Sequence, residues 1–135
     1  MVLFALIGMG FRTLIYYYFQ SWNITSDYTA VFLDLPCNFF GCFIMGMYVP
    51  SKNIWNTISP ALSLGIGTGL CGCITTWSAW NLSITKLFVM GSVNYSYGSY
   101  IGSAFFAIGI GICIAQGGLM LGKQCNTLFF GSFNS

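Results

Sequence analysis

Residues 67–80 read GTGLCGCITTWSAW and place polar chemistry inside an apolar run. Gly67, Gly69 and Gly72 weaken a helix or let a second backbone come close. Thr75 and Thr76 add hydroxyls at a depth where an unsatisfied polar group is costly. Trp77 and Trp80 stand three apart, so a helix puts both indoles on one face with their N–H donors. The pattern predicts a membrane helix broken near 72–76 that presents polar groups to something small.

Other residues with chemical potential lie upstream. Arg12 is a guanidinium within an apolar segment; it either snorkels to an interface or marks function. Asp34 sits a turn before Asn38, and if buried it needs a partner such as Arg12, a cation, or a proton. Otherwise it lies near the membrane surface. Asn38, in Asn38-x-x-Gly41-x-Phe43-x-x-Gly46, is either interhelical glue or a pore-lining group that replaces water around an ion. Ser99 and Ser103, with Tyr95 a turn earlier, form a polar track or bond back to their own helix.

Several chemistries are excluded. There is no histidine among the 135 residues, so His-ligated metal and His-based catalysis are out. Six cysteines are present, but Cys71-x-Cys73 is not a C-x-x-C pair, so packing is their expected role. Four basic and two acidic residues give no basic patch, hence no nucleic-acid partner.

The elements that position these groups follow from composition. Charged residues are 4% and hydrophobic residues 56%, with mean hydropathy +0.78. A soluble domain carries about 25% charge, so this is an integral membrane protein. Long, non-alternating apolar runs select helices over a barrel. The expected fold is all-α, one four-helix membrane unit over 1–135, with spans of about 1–19, 29–49, 58–89 and 100–121. Residues 1–19 lack a basic start and a small-residue cut site, and read as a mature span rather than a signal. Pro36 predicts a kink near Leu33–Cys37. Residues 91–99 are expected to be a polar connector, and 124–135 a weakly structured tail. Glycine pairs at 65/69, 98/102 and 118/122 predict close helix packing. With the N-terminus inside, Lys52 and Lys123 are cytoplasmic, and the sequons at Asn23 and Asn94 fall outside; Lys86 opposes the bias.

Gly72-Cys-Ile-Thr75-Thr76-Trp77-Ser-Ala-Trp80 resembles the G-x-x-T-T-F-S-x-F signature of the Fluc/CrcB/FEX fluoride channels. Gly8-x-x-x-Arg12 and the Asn38 motif resemble that family's first- and second-helix motifs. Residues 1–90 carry the resemblance; the last span matches by hydropathy alone. It implies passive fluoride export, with fluoride as permeant, through pores between two antiparallel units in the cell membrane. It implies a second copy, or a homologous second half as in the fused eukaryotic branch. It implies a structural Na⁺ held by the carbonyls of Gly72 and Thr75, and a path lined by Asn38, Trp77 and Trp80. Ser99 and Ser103, with Tyr95 or Tyr100, would complete the track. Two departures stand out: the family has phenylalanine where Trp77 and Trp80 stand, and Asp34 replaces a common threonine. A small multidrug exporter, or a non-conducting half of a two-unit channel, are the alternatives; the exporter needs a membrane carboxylate, for which only Asp34 would serve.

Overall fold

A computed structural model describes residues 1–22, 31, 32, 34–93 and 97–130. The sequons at Asn23 and Asn94, the start of the second span and Tyr95 lie outside the described residues. Every element is helical: α1 Val2–Ser21, α2 Leu35–Tyr48, α3 Lys52–Ile58, α4 Pro60–Leu64, a π-helical turn Gly65–Cys71, α5 Gly72–Ile74, α6 Trp77–Val93 and α7 Tyr97–Phe130. Among the described residues, two stretches are long and apolar enough to cross a membrane, Val2–Ser21 and Gly98–Phe129; Leu35–Tyr48 is a shorter apolar helix.

The surface is itself evidence of a lipid setting. Leu3, Leu14, Phe105, Phe106 and Met120 all leave about two thirds of their area uncovered. The inside is modest by contrast, a cluster of Phe32, Leu35, Trp80, Ile84, Leu87, Ala104 and Ala107 between α6, α7 and the start of α2.

Small residues determine how the helices meet. α2 packs along α7, and α1 packs on the π-helical turn and α5. A methyl at Gly46 would strike the Leu119 carbonyl oxygen, and one at Gly122 the Phe43 carbonyl oxygen. A methyl at Gly8 would meet the Leu70 carbonyl oxygen at 2.6 Å. Backbones this close exchange dispersion and carbonyl contacts that larger residues forbid. Gly65 and Gly69 receive Phe4 in the same way. The 65/69 and 118/122 pairs are therefore packing glycines, whereas nothing lies within 4 Å of a methyl built on Gly98 or Gly102.

Three boundaries differ from expectation. Pro36 occupies the first turn of α2, with Asp34 at its N-cap, so it starts the helix rather than kinking one. A proline there loses no hydrogen bond, because that amide has no intrahelical partner. Residues 124–130 continue α7 instead of forming a loose tail, and 91–93 and 97–99 are helical rather than connector. The extension is held by Asn126, whose Nδ2 donates to the Met47 carbonyl at 2.6 Å and to Ser51 Oγ. The short α3 after Lys52 was not expected; Ser59 closes it in extended backbone and opens α4, its Oγ accepting from the Leu62 amide.

Candidate functional site

The helix containing residues 60–93 is interrupted after Ile74, and the cause is local. Thr75 is extended, with φ −82° and ψ 138°. Its amide and its Oγ1 both donate to the Cys71 carbonyl, at 3.0 and 2.9 Å. Ile74, Thr75 and Thr76 are β-branched in succession, which favours extended backbone. The Thr76 amide would bond to the Gly72 carbonyl in a continuous helix. It donates instead to Asn38 Oδ1 at 2.9 Å. Asn38 thus holds the break open from α2, and Gly41 on the same helix leaves room for the Thr75 methyl.

The π-helical turn leading into the break is made of GIGTGLC. A π-helix is rare and concentrates at functional positions. Here the glycines let it lie against α1.

A cavity of about 310 Å³ opens at the break, lined by Asn38 and Cys42 of α2, Thr75 to Trp77 and Trp80, and Gly111, Ile112, Ala115 and Gln116 of α7. The lining carries no charge. The two indoles are tilted at 53° with ring centroids 4.7 Å apart. They share the cavity but not an environment: Trp77 is 72% exposed and Trp80 only 6%. Trp80 fits because residue 111 is glycine; a methyl there would lie 2.7 Å from Nε1. Among the described residues, two buried side-chain polar atoms have no hydrogen-bond partner, Thr76 Oγ1 and Trp80 Nε1. Orphaned buried donors are rare and call for an explanation.

The remaining candidates lie elsewhere. Arg12 Nη2 donates to Asp34 Oδ1 at 2.9 Å, tying α1 to the start of α2. The partner required of a buried Asp34 is therefore Arg12, and neither group lines the cavity. Ser103 Oγ donates to the Ser99 carbonyl at 2.9 Å, within its own helix, and α7 faces the cavity about two turns beyond Ser103. Gln116, Cys42 and Gly111 had not been singled out. Gln116 offered the same signal as Asn38, a lone amide in an apolar run.

A protein-family model described as CrcB-like protein, Camphor Resistance (CrcB), matches residues 1–119. The chain belongs to the CrcB-like family. Several curated relatives agree over most of the chain. The CrcB-like chain is 30% identical to the fluoride-specific ion channel FluC 1 of Streptococcus pneumoniae serotype 4, over 84% of this chain and 98% of the relative. It is 30% identical to FluC 1 of Lactobacillus johnsonii, over 90% of this chain and 84% of the relative. It is 31% identical to FluC 2 of Staphylococcus haemolyticus, over 77% and 88%. No solved structure matches. Membership makes the chain integral to a membrane, in agreement with its apolar helices.

Proposed function

We propose that this chain is one unit of a passive fluoride-selective channel that lets cytoplasmic fluoride leave the cell. The observation that carries the reading is the uncharged cavity of about 310 Å³ at the helix break, lined by amide, hydroxyl and indole residues. A small, strongly hydrated anion needs donors to replace water, but a fixed positive charge beside them would trap it. Asn38, Gln116, Thr76 and the indole edges supply the first without the second. The relatives' name, fluoride-specific ion channel, supports the choice of anion. Such a unit moves an ion and performs no bond chemistry, so it is not an enzyme.

The unit works as four membrane crossings in the cell membrane, paired antiparallel with a second copy or a homologous half. Supporting this, Trp77 of the cavity is exposed, and Gly72, beside the break, has nothing within 4 Å of its methyl position. Na⁺ is the expected structural ion. Its donors would be the carbonyls of Gly72 and Thr75, hard oxygens that suit a hard cation. The fit is chemical: the Thr76 amide that would occupy the Gly72 carbonyl is committed to Asn38, and the extended Thr75 sits at the break. When bound, the ion would compensate carbonyls that a broken helix leaves over. Ser99 and Ser103 remain proposed as an outer stretch of the path, beyond the cavity.

The exporter alternative is not favoured, because Asp34 is bound to Arg12 and absent from the cavity lining. The test is fluoride efflux from liposomes containing purified protein. Selective efflux of fluoride over chloride supports the reading; efflux of neither, with the protein folded and inserted, overturns it.

A further inference from the structure

The turn between α2 and α3 meets the last part of α7 in a polar junction that the cavity does not use. Asn126 and Ser51 are both buried there, and Asn126 Nδ2 donates to Ser51 Oγ and to the Met47 carbonyl. A second buried pair, the Tyr48 and Ser63 hydroxyls 2.7 Å apart, ties the same end of α2 to α4. Gly122 lies so near that a methyl on it would meet the Met47 amide at 2.9 Å. Two lysines flank this junction. Lys52 follows Ser51 directly, and Lys123 stands less than one turn before Asn126 on α7. Both are exposed. Among the described residues the one carboxylate side chain is Asp34, and Arg12 holds it at the opposite end of α2, about 20 Å along the helix. Two like charges are thus anchored on one junction with no carboxylate beside them.

The short helix that starts at Lys52 shows what surrounds them. At 100° per residue, Ile54, Trp55 and Ile58 fall on one side of α3, and Lys52, Asn53 and Asn56 on the other. Protein does not cover the apolar side: Ile54 is 41% and Ile58 65% exposed. A helix of this kind in a membrane protein lies in the plane of the bilayer surface, its apolar side at the acyl boundary and its polar side toward water. Lys52 then stands at headgroup depth, and Lys123, on the same junction, stands with it. We propose that Lys52 and Lys123 form a binding site for an anionic phospholipid, its phosphate between the two ammonium groups and its acyl chains against Ile54 and Ile58. The site does not depend on which ion crosses the channel. Lysines at a membrane surface favour lipids of net negative charge, whereas a choline headgroup offsets the charge of its own phosphate. A lipid held by both lysines joins the α2–α3 turn to α7, adding to what Asn126 does from inside.

The test uses the whole chain, purified in a neutral detergent. Dioleoyl phosphatidylglycerol or dioleoyl phosphatidylcholine is added in steps, and bound lipid is counted by native mass spectrometry. The acyl chains are the same, so any difference reads the headgroup. The expected result is a first phosphatidylglycerol bound at least tenfold more tightly than phosphatidylcholine. Lys52→Gln and Lys123→Gln each weaken that binding about fivefold. Lys86→Gln removes the same charge from α6, where the neighbouring Leu87 packs with Leu35 at the start of α2, and changes the binding less than twofold. All three lysines are exposed, so the variants keep the fold. Inorganic phosphate at the same concentration leaves the lipid in place. Equal binding of the two lipids, or a loss in Lys86→Gln as large as in the other two, overturns the proposal. Displacement by inorganic phosphate also overturns it, and makes the lysines a site for the free anion. Fluoride efflux from liposomes is read separately, so failure of the channel reading and failure of this site are distinct results.

Discussion

Asn38 does two jobs with one side chain. Its carbonyl oxygen accepts the Thr76 amide, and the residue lines the cavity. Asn38→Ala therefore leaves a buried amide unpaired and removes a donor from the path. The expected outcome is fluoride flux reduced at least tenfold in liposomes, with a loss of about 1–3 kcal/mol in thermal or denaturant stability. Asn38→Asp abolishes flux, because a carboxylate facing the path repels the anion. Asp34→Asn separates the two acidic positions. Its partner Arg12 is partly exposed at the side chain, 29%, so the lost ion pair lowers stability by roughly 2 kcal/mol. Fluoride-over-chloride selectivity of the folded fraction is unchanged. A change of selectivity in Asp34→Asn would show that Asp34 faces the path. Asn38, Trp77 and Trp80 were legible from their types alone, since each is a polar group in an apolar helix. That Asp34 binds Arg12 was one of several readings, because pairing 22 residues apart depends on how α1 and α2 meet.

The broken helix is the element on which the site depends. Glycines, two threonines and two tryptophans foretold a break near 72–76, and it falls between Ile74 and Trp77. What the sequence could not supply was the register of α7. Serines near its start suggested a track there, but Ser103 bonds within its own helix, and glycines at 118 and 122 bring the later half of α7 against α2. Tertiary packing thus chose Gly111 to Gln116 as the cavity wall. The length of α7 was missed for a related reason. The polar residues after Lys123 end a membrane span, but Asn126 binds α2 and Ser51 and keeps the helix going. The same glycines offer a prediction. Gly46→Ala and Gly122→Ala each drive a methyl into facing backbone and cost about 1–3 kcal/mol of stability. Gly102→Ala, with open space around it, costs nothing and raises the stability of the isolated unit by up to about 1 kcal/mol, alanine being the better helix former. Thermal unfolding in a single detergent, with the three variants side by side, reads the contrast.

As a whole molecule the chain is nearly all surface for lipid. Its 4% charge and its uncovered Leu, Phe and Met side chains require a bilayer or detergent at every stage. The membrane class was plain from composition, because no core large enough to hide so many apolar residues fits in 135 positions. Pairing with a second unit was expected from the family resemblance, not from composition, and it stays part of the proposal. An α7 of 34 residues is about 50 Å long, well beyond a hydrocarbon core of about 30 Å. Lys123 and Gln124 are exposed near its C-terminal end. We propose that fluoride passes through the uncharged cavity at the helix break, in an assembly that needs Na⁺. The direct measurement is fluoride-electrode recording of efflux from proteoliposomes loaded with potassium fluoride, with and without Na⁺ carried through purification. Rapid fluoride release, at least tenfold over chloride, lost in Asn38→Asp and reduced when Na⁺ is withheld, is the predicted result. Equal release of fluoride and chloride, or undiminished fluoride release in Asn38→Asp, would contradict it.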